Sequence, residues 1–493
     1  GRIQARLGDL DTAMQSMTRG QTIMNGSLDE ILSVSSERER LAYLAKLRES
    51  LHIFVSLALA SEKEEDQKLA WSVWLRRKGI GLEAGALQQV VLASAGSEEV
   101  QGLAMDLTRI RAALSSLTLA PPQGLSREDW DAARADLLLR KESLEADLSR
   151  LNGPFTLMGK SRRATPEAVM NHLDQGQVLV DWMRFTPYDF SATDPDLAWL
   201  PPRYAAFVAL QGAQGPVFLL KDMGEAAPVD AAISNYRQAI LDMDGESAQA
   251  ERVYTMLFEP LVQALMEADS QAAREVDSFL VSPDGGLHLL PFEALKGPGG
   301  SWLVEDYSFI YLAAARDLPG LKQVDEASLG RTPGPPVLMG DPDYGPPPSS
   351  ESPGPEFPPL PGTREEVEAV AGILSREAQA LGDVQVLLGE AAEETALFSL
   401  DRPRILHLAT HGFFLSQEQA AMLRPGERAL LMTTYGPAES EGQEATAALL
   451  RSGLALAGAN QGFGGGLDPA SDGLATAEEL LGLRLWGTEL VVL

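Results

Sequence analysis

The stretch Arg404-Ile405-Leu406-His407-Leu408-Ala409-Thr410-His411-Gly412-Phe413-Phe414 constrains the fold of this chain more than any other. Apolar residues fill most positions from Ile405 to Ala409. A strand with one wet face alternates polar and apolar residues. A run without alternation suits a parallel strand covered on both faces. His411 then falls just past the strand's carboxyl end, where open α/β sheets bind ligands. An imidazole at that place can act as a general base near neutral pH, or it can simply satisfy a loop.

Residues 335–493 keep alternating between strand and helix, which favours a layered α/β domain. Val337, Leu338 and Met339 begin a short strand. Asp341 and Asp343 after it imitate a metal loop but lack further aligned oxygen ligands, so a turn is expected. Residues 346–362 are dense in proline, serine and glycine and read as an extended surface loop, either a processing loop or a simple insertion. Thr363 and Glu366 fit a capping box, opening a helix whose buried face would carry Val367, Val370 and Ile373. A strand is expected at 384–388. The apolar run 429–432 reads as another short strand within a polar loop. Gly462, Gly464, Gly465 and Gly466 resemble a phosphate loop but lack the Lys-Ser/Thr pair, so a loop near the site is expected. Asp472-Gly473 makes a turn before a helix start at Glu478-Glu479. Asp472 is expected to face solvent; the other reading is recognition of a basic group. Residues 486–493 read as a further buried strand.

A first α/β half is expected over 165–325. Thr165-Pro166-Glu167 looks like an N-cap with proline at the first helical position. Strands are expected at 178–185, 204–210, 216–220 and 277–281, with another apolar stretch at 302–311. A helical region over 228–268 is broken near Gly245 and by Pro260. His172 reads as a packing or surface residue. Asp284 and His288 form an acid–base pair only if they touch, and the Pro283-Asp284-Gly285 segment is better read as a turn.

Residues 1–155 read as helical, with no proline before Pro121. Leu7-Gly8-Asp9-Leu10-Asp11-Thr12-Ala13 resembles the junction inside a tetratricopeptide repeat, where glycine lets two helices approach and alanine fills the contact. Trp71 and Trp74 share a helix face. Arg76-Arg77-Lys78 reads as a solvated basic face, and Gly79 as the helix stop. His52 has no visible partner.

Composition narrows the function. The formal net charge of −30 disfavours nucleic acid and anionic membranes and favours a basic protein or peptide as partner. No run of eighteen apolar residues occurs and no secretory pattern opens the chain, so a cytoplasmic location is expected. Gly1 is not a natural start, so an upstream part is expected. The five histidines form no zinc motif, and neither metal nor cofactor is expected. There is no cysteine, which excludes disulfides and thiolate zinc sites.

The motifs together resemble the CHAT domain family, caspase- and separase-like cysteine peptidases often attached to tetratricopeptide repeats. The resemblance covers about 165–493. It rests on the strand around Val180-Asp181, Phe218-Leu219-Leu220, Leu257-Phe258-Glu259-Pro260, the Pro283–Leu295 block, the His411 strand, Arg451-Ser452-Gly453-Leu454, Asp472-Gly473 and the Glu489–Leu493 strand. It implies a caspase-like layered sheet fold: a noncatalytic pseudo-caspase half at 165–325, a histidine-bearing half at 335–493, and a helical region at 1–155 before them. It makes His411 the catalytic imidazole and places backbone amides near Gly412 at the oxyanion. The family's cysteine is expected immediately after Leu493, in a piece missing from a truncated sequence. The implied activity of the complete protein is that of a cysteine endopeptidase, with cleavage after basic residues one specificity it allows, controlled by a regulatory protein on the helical region. Ser452 and Ser471 sit in no nucleophile elbow. The contrasting expectation is a noncatalytic repeat-linked interaction or signalling scaffold.

Overall fold

The computed structural model describes residues 1–34, 37–80, 98–120, 125–151, 165–194, 197–212, 215–243, 245–321, 333–347, 355–377, 381–415, 449–463, 467–485 and 487–493. The chain divides into two compact units, both mixed α/β. One joins residues 1–30, 43–80 and 155–324; the other joins 31–42, 81–154 and 325–493. Each unit takes part of the N-terminal helical stretch and one stretch of alternating strands and helices. Among the described residues no helix is long and apolar enough to cross a membrane.

The first unit is built on five strands: β1 (Gln177–Phe185), β2 (Arg203–Gly212), β3 (Gly215–Glu225), β4 (Ser278–Ser282) and β5 (Ser308–Tyr311), in the order β3-β2-β1-β4-β5. β1, β2 and β3 form an antiparallel meander, while β1, β4 and β5 run parallel. Side chains alternate across a strand, so the sheet has two cores. On one face Leu179, Met183, Phe207, Phe218 and Leu280 pack with Phe54, Trp71 and Leu75 of the N-terminal helices. On the other, Val178, Val180, Val208, Phe279 and Val281 pack with Val229, Ile233, Leu257 and Phe258. The helical segments before residue 80 that belong to this unit are thus a covering layer of its sheet.

Asp181 lies on the first of these faces, fully buried. A buried carboxylate needs partners. It accepts from Trp71 Nε1 (2.9 Å), Trp74 Nε1 (3.3 Å) and Lys78 Nζ (2.8 Å). Lys78 donates further to the carbonyls of Trp182 (3.0 Å) and Ser282 (2.8 Å). Arg77 is also buried and donates to Gln21, Asn25 and the Leu47 carbonyl. The solvated basic face expected at 76–78 is therefore corrected: two of its three cations anchor helices. Gly79 follows at φ +67°. His52 is buried as well, and its Nδ1 accepts the Thr186 N–H (3.3 Å). Burial pushes it down to about 4, so the ring is neutral at pH 7.

Several local expectations meet the structure directly. Thr165 caps its helix by accepting the Ala168 N–H (3.2 Å), with proline next. Pro260 does not break the helical run: a wide π turn over Tyr254–Phe258 precedes the Glu259–Ala268 helix and accommodates the missing N–H. Gly8 takes φ +81° with open space around it, so it serves a turn between helices rather than a close approach. Asp284 accepts the Arg184 N–H (2.7 Å), consistent with its structural reading.

The second unit holds two sheets. Four strands, β6 (Val337–Pro342), β7 (Gln385–Gly389), β8 (Ile405–Ala409) and β12 (Leu490–Val492), run parallel in the order β12-β8-β6-β7. β9 (Gly412–Phe414), β10 (Ser452–Ala455) and β11 (Leu474–Thr476) are antiparallel in the order β11-β10-β9. β8 is apolar because both its faces are covered. Leu406 and Leu408 join Val337, Met339 and Leu397, while Ala409 meets Val367 and Leu338 on the opposite side. The helix at Pro361–Leu374 has its N-cap at Leu360, three residues before the expected cap at Thr363, and the Thr363–Glu366 capping box does not form. Thr363 is already inside the helix, donating to the Leu360 carbonyl (2.7 Å) and accepting the Asp341 N–H (2.9 Å). Val367 is buried but Ile373 is exposed. The strand expected at 429–432, most of the glycine run 462–466 and residues 348–354 of the loop at 346–362 lie outside the described residues.

Two long helices, Glu98–Leu119 and Arg127–Leu151, also belong to this unit. They reach the short Ala477–Leu480 helix through buried charges. Arg111 Nε lies 3.1 Å and Lys141 Nζ 2.7 Å from Glu478 Oε1, and the hydroxyls of Ser115 and Thr476 are 2.7 Å apart.

Candidate functional site

β8 delivers His411 to the carboxyl end of the parallel sheet. Between β8 and β9 the chain changes sheets, and Thr410 and His411 are the two residues that make the step. Both are tied to β10. The Thr410 hydroxyl donates to the Ala455 carbonyl, and the Ala455 N–H donates to the His411 carbonyl (2.9 Å). The Tyr344 hydroxyl, from the loop after β6, lies 2.8 Å from that of Thr410 and accepts the His411 N–H at 3.4 Å. These bonds fix the backbone and leave the imidazole to its side-chain neighbours.

Those neighbours are aromatic. The Tyr344 ring lies 5.3 Å and the Phe357 ring 5.8 Å from the imidazole, centroid to centroid. Nε2 is 2.8 Å from the Pro358 carbonyl, which can only accept, so Nε2 carries the proton in this arrangement. Phe357 is buried among Tyr344, Phe413 and Phe463. Asn460 holds its backbone at both polar groups: Oδ1 accepts the Phe357 N–H (2.8 Å) and Nδ2 donates to the Phe357 carbonyl (3.1 Å). Nδ2 also donates to the Gly345 carbonyl (3.2 Å). This donor and acceptor pattern fixes the orientation of the amide.

Gly412, the other residue expected at the site, is exposed and opens β9. It pairs with Leu454, next to the bond from Ala455 to His411. In an antiparallel ladder such a pair turns its own N–H away from the partner strand. Its amide therefore points away from β10.

The segments whose Leu397 and Ala475 pack with β8 carry a buried group of acids. Glu394 Oε2 accepts the Gly473 N–H (3.1 Å), and Asp472 Oδ1 accepts the Leu474 N–H (2.9 Å). Glu479 Oε2 accepts the Thr476 N–H (2.9 Å) and hydroxyl (2.7 Å), completing a capping box. Burial, with Glu479 and Asp472 close by, pushes Glu394 up to about 9. Burial pushes Asp472 and Glu479 up to about 7 each. Asp472 was expected to face solvent; it is 4% exposed instead, because its carboxylate folds back on the turn it begins. Gly473 is required there. It has φ +81°, and a Cβ would stand 2.6 Å from the Ala457 carbonyl oxygen.

Of the two aspartates read as a metal-like loop, one holds a side chain and the other the backbone. Asp341 pairs with Arg364 (2.7 Å), and Asp343 accepts the Gly345 N–H (3.0 Å). Sequence reasoning missed Tyr344, Phe357 and Asn460. A signal for one was present: Phe357 is the sole aromatic residue in the proline-rich segment 346–362, where a solvated loop has no use for one.

A sequence profile described as the CHAT domain matches residues 247–493. No curated protein matches the chain. The expectation of a cysteine-type endopeptidase, protease or hydrolase is corrected at this point. None of the 493 residues is cysteine, so the residues matched by the profile contain no thiolate to attack a peptide carbonyl. Half of the chain carries the profile, His411 stands at the end of its central parallel strand, and the mixed α/β layering agrees: the chain belongs to the CHAT domain family.

Proposed function

We propose that this chain acts as a noncatalytic protein-interaction and signalling scaffold built on a peptidase-like fold. The observation that carries this reading is the absence of any cysteine from its 493 residues. In this reading the first unit corresponds to a pseudo-caspase half and the second to a histidine-bearing half. His411 and the amide of Gly412 serve as binding groups. The N-terminal helices act as a repeat-like surface for a regulatory protein. A net charge of −30 favours a basic protein or peptide among the partners.

Incubation with denatured casein and with an Arg/Lys-rich peptide, read by mass spectrometry, tests the claim. The expected result is no new peptide above the blank, for the native chain and for His411→Ala alike. Hydrolysis by the native chain that disappears in His411→Ala overturns the scaffold reading.

A further inference from the structure

We propose that the cleft beside His411 is a binding site for an aromatic-proline peptide segment, and that residues 355–360 are its built-in occupant. The proposal rests on the scaffold reading and names the ligand class of the same site. Phe357 is 4% exposed, although it sits in a segment of prolines whose neighbours Glu356, Pro358 and Pro359 are exposed. Its ring fills a pocket walled by Tyr344, Phe413 and Phe463, with centroids 6.1, 6.1 and 6.3 Å away. Asn460, itself 4% exposed, grips both polar groups of its backbone, as a neighbouring strand would. The next residue's carbonyl meets His411 Nε2 at 2.8 Å.

Each of these contacts reads a distinct feature of a short peptide: an aromatic side chain, the two polar groups of its backbone, and a carbonyl directly after it. Proline in that following position holds the peptide extended before binding, which lowers the ordering cost. None of the contacts needs the segment to be covalently part of this chain. A partner protein presenting aromatic-Pro-Pro in trans satisfies the same groups. The tethered segment then acts as a competitor at an effective concentration in the millimolar range. Displacing it frees Nε2 of His411 and the pocket together.

The test uses the full chain and a fluorescein-labelled Pro-Glu-Phe-Pro-Pro-Leu peptide, followed by anisotropy. Phe357→Ala empties the pocket in cis, and its fold is checked by circular dichroism. The peptide is expected to bind Phe357→Ala at least about tenfold tighter than the native chain, since the competitor is weakened. Adding Asn460→Ala abolishes that binding, as does Phe replaced by Ala in the peptide. No binding to a folded Phe357→Ala chain, or equal binding with and without Asn460, overturns the proposal. A second measurement avoids the buried aromatic. A Glu-specific protease cutting after Glu356 is expected to act about tenfold faster on Asn460→Ala than on the native chain, given two lost hydrogen bonds. An unchanged rate overturns the proposal. Peptide integrity is read in the same wells. Binding without cleavage supports both readings, cleavage of the peptide by the chain itself refutes the scaffold alone, and no binding refutes the cleft alone.

Discussion

The buried acids Glu394, Asp472 and Glu479 should make the second unit sensitive to alkali. Glu394 is 2% exposed and pushed up to about 9, whereas an unfolded glutamate titrates near 4.5. The folded form therefore holds a proton that the unfolded form releases above pH 4.5. Folded-state pKa is raised, so the contribution is fully present below about 4.5 and is lost as pH rises through about 9. Each such proton gives a slope of about 1.4 kcal/mol per pH unit, hence about 4 kcal/mol between pH 5 and pH 8 for one group. Asp472 and Glu479, both raised to about 7, add in the same direction. Glu394→Gln keeps an oxygen for the Gly473 N–H and removes the proton. Hydrogen exchange of residues 474–480, corrected for intrinsic rate and read by mass spectrometry, follows the local opening. The native chain should lose protection from pH 5 to pH 8, and Glu394→Gln should lose markedly less and exceed it at pH 8. Native protection that is flat or rises over that range refutes the reasoning.

Two further outcomes concern single buried contacts. Asp181→Ala strands Lys78 and two indole N–H groups, and should cost the first unit about 3–5 kcal/mol, seen as an earlier urea transition in tryptophan fluorescence; Asp181→Leu combined with Lys78→Met should recover only the part due to the stranded charge, because the two indole N–H groups stay unpaired. Gly473→Ala meets both a left-handed backbone and a carbonyl oxygen 2.6 Å from its new methyl group, and should lower the melting temperature of the second unit by several degrees, whereas an alanine at exposed Gly372 should leave it within about one degree.

Where sequence was informative, it was through patterns that depend on local burial. The largely apolar run at 405–409, interrupted only by His407, reads as a covered strand, and it placed His411 at a strand end. The Thr165-Pro166 cap needs nothing beyond its own helix. What escaped depends on partners distant in sequence. Arg77 and Lys78 look solvent-facing until Asp181 and Asn25 appear opposite them. Asp472 looks like a turn aspartate, and it is one, but it turns inward. Thr363 and Glu366 have capping-box spacing, yet Pro361 is a better first helical residue and moves the start upstream. Asn460 and Phe357 are 103 residues apart, and nothing local in either announces the other.

The first unit's sheet also bears on how such a domain can be inherited. The matched span opens at residue 247, after β3 has ended. β4 and β5 fall inside it, but the strand against which β4 lies, from Gln177 to Asp181, does not. Nor do Phe54 and Trp71, which cover that sheet. A gene segment exchanged at that point would carry a two-stranded remnant with a bare edge and an uncovered apolar face, prone to aggregate. Recombination that keeps this chain foldable has to move the N-terminal helices and all five strands together, so the recognisable signature is shorter than the piece that evolution can shuffle.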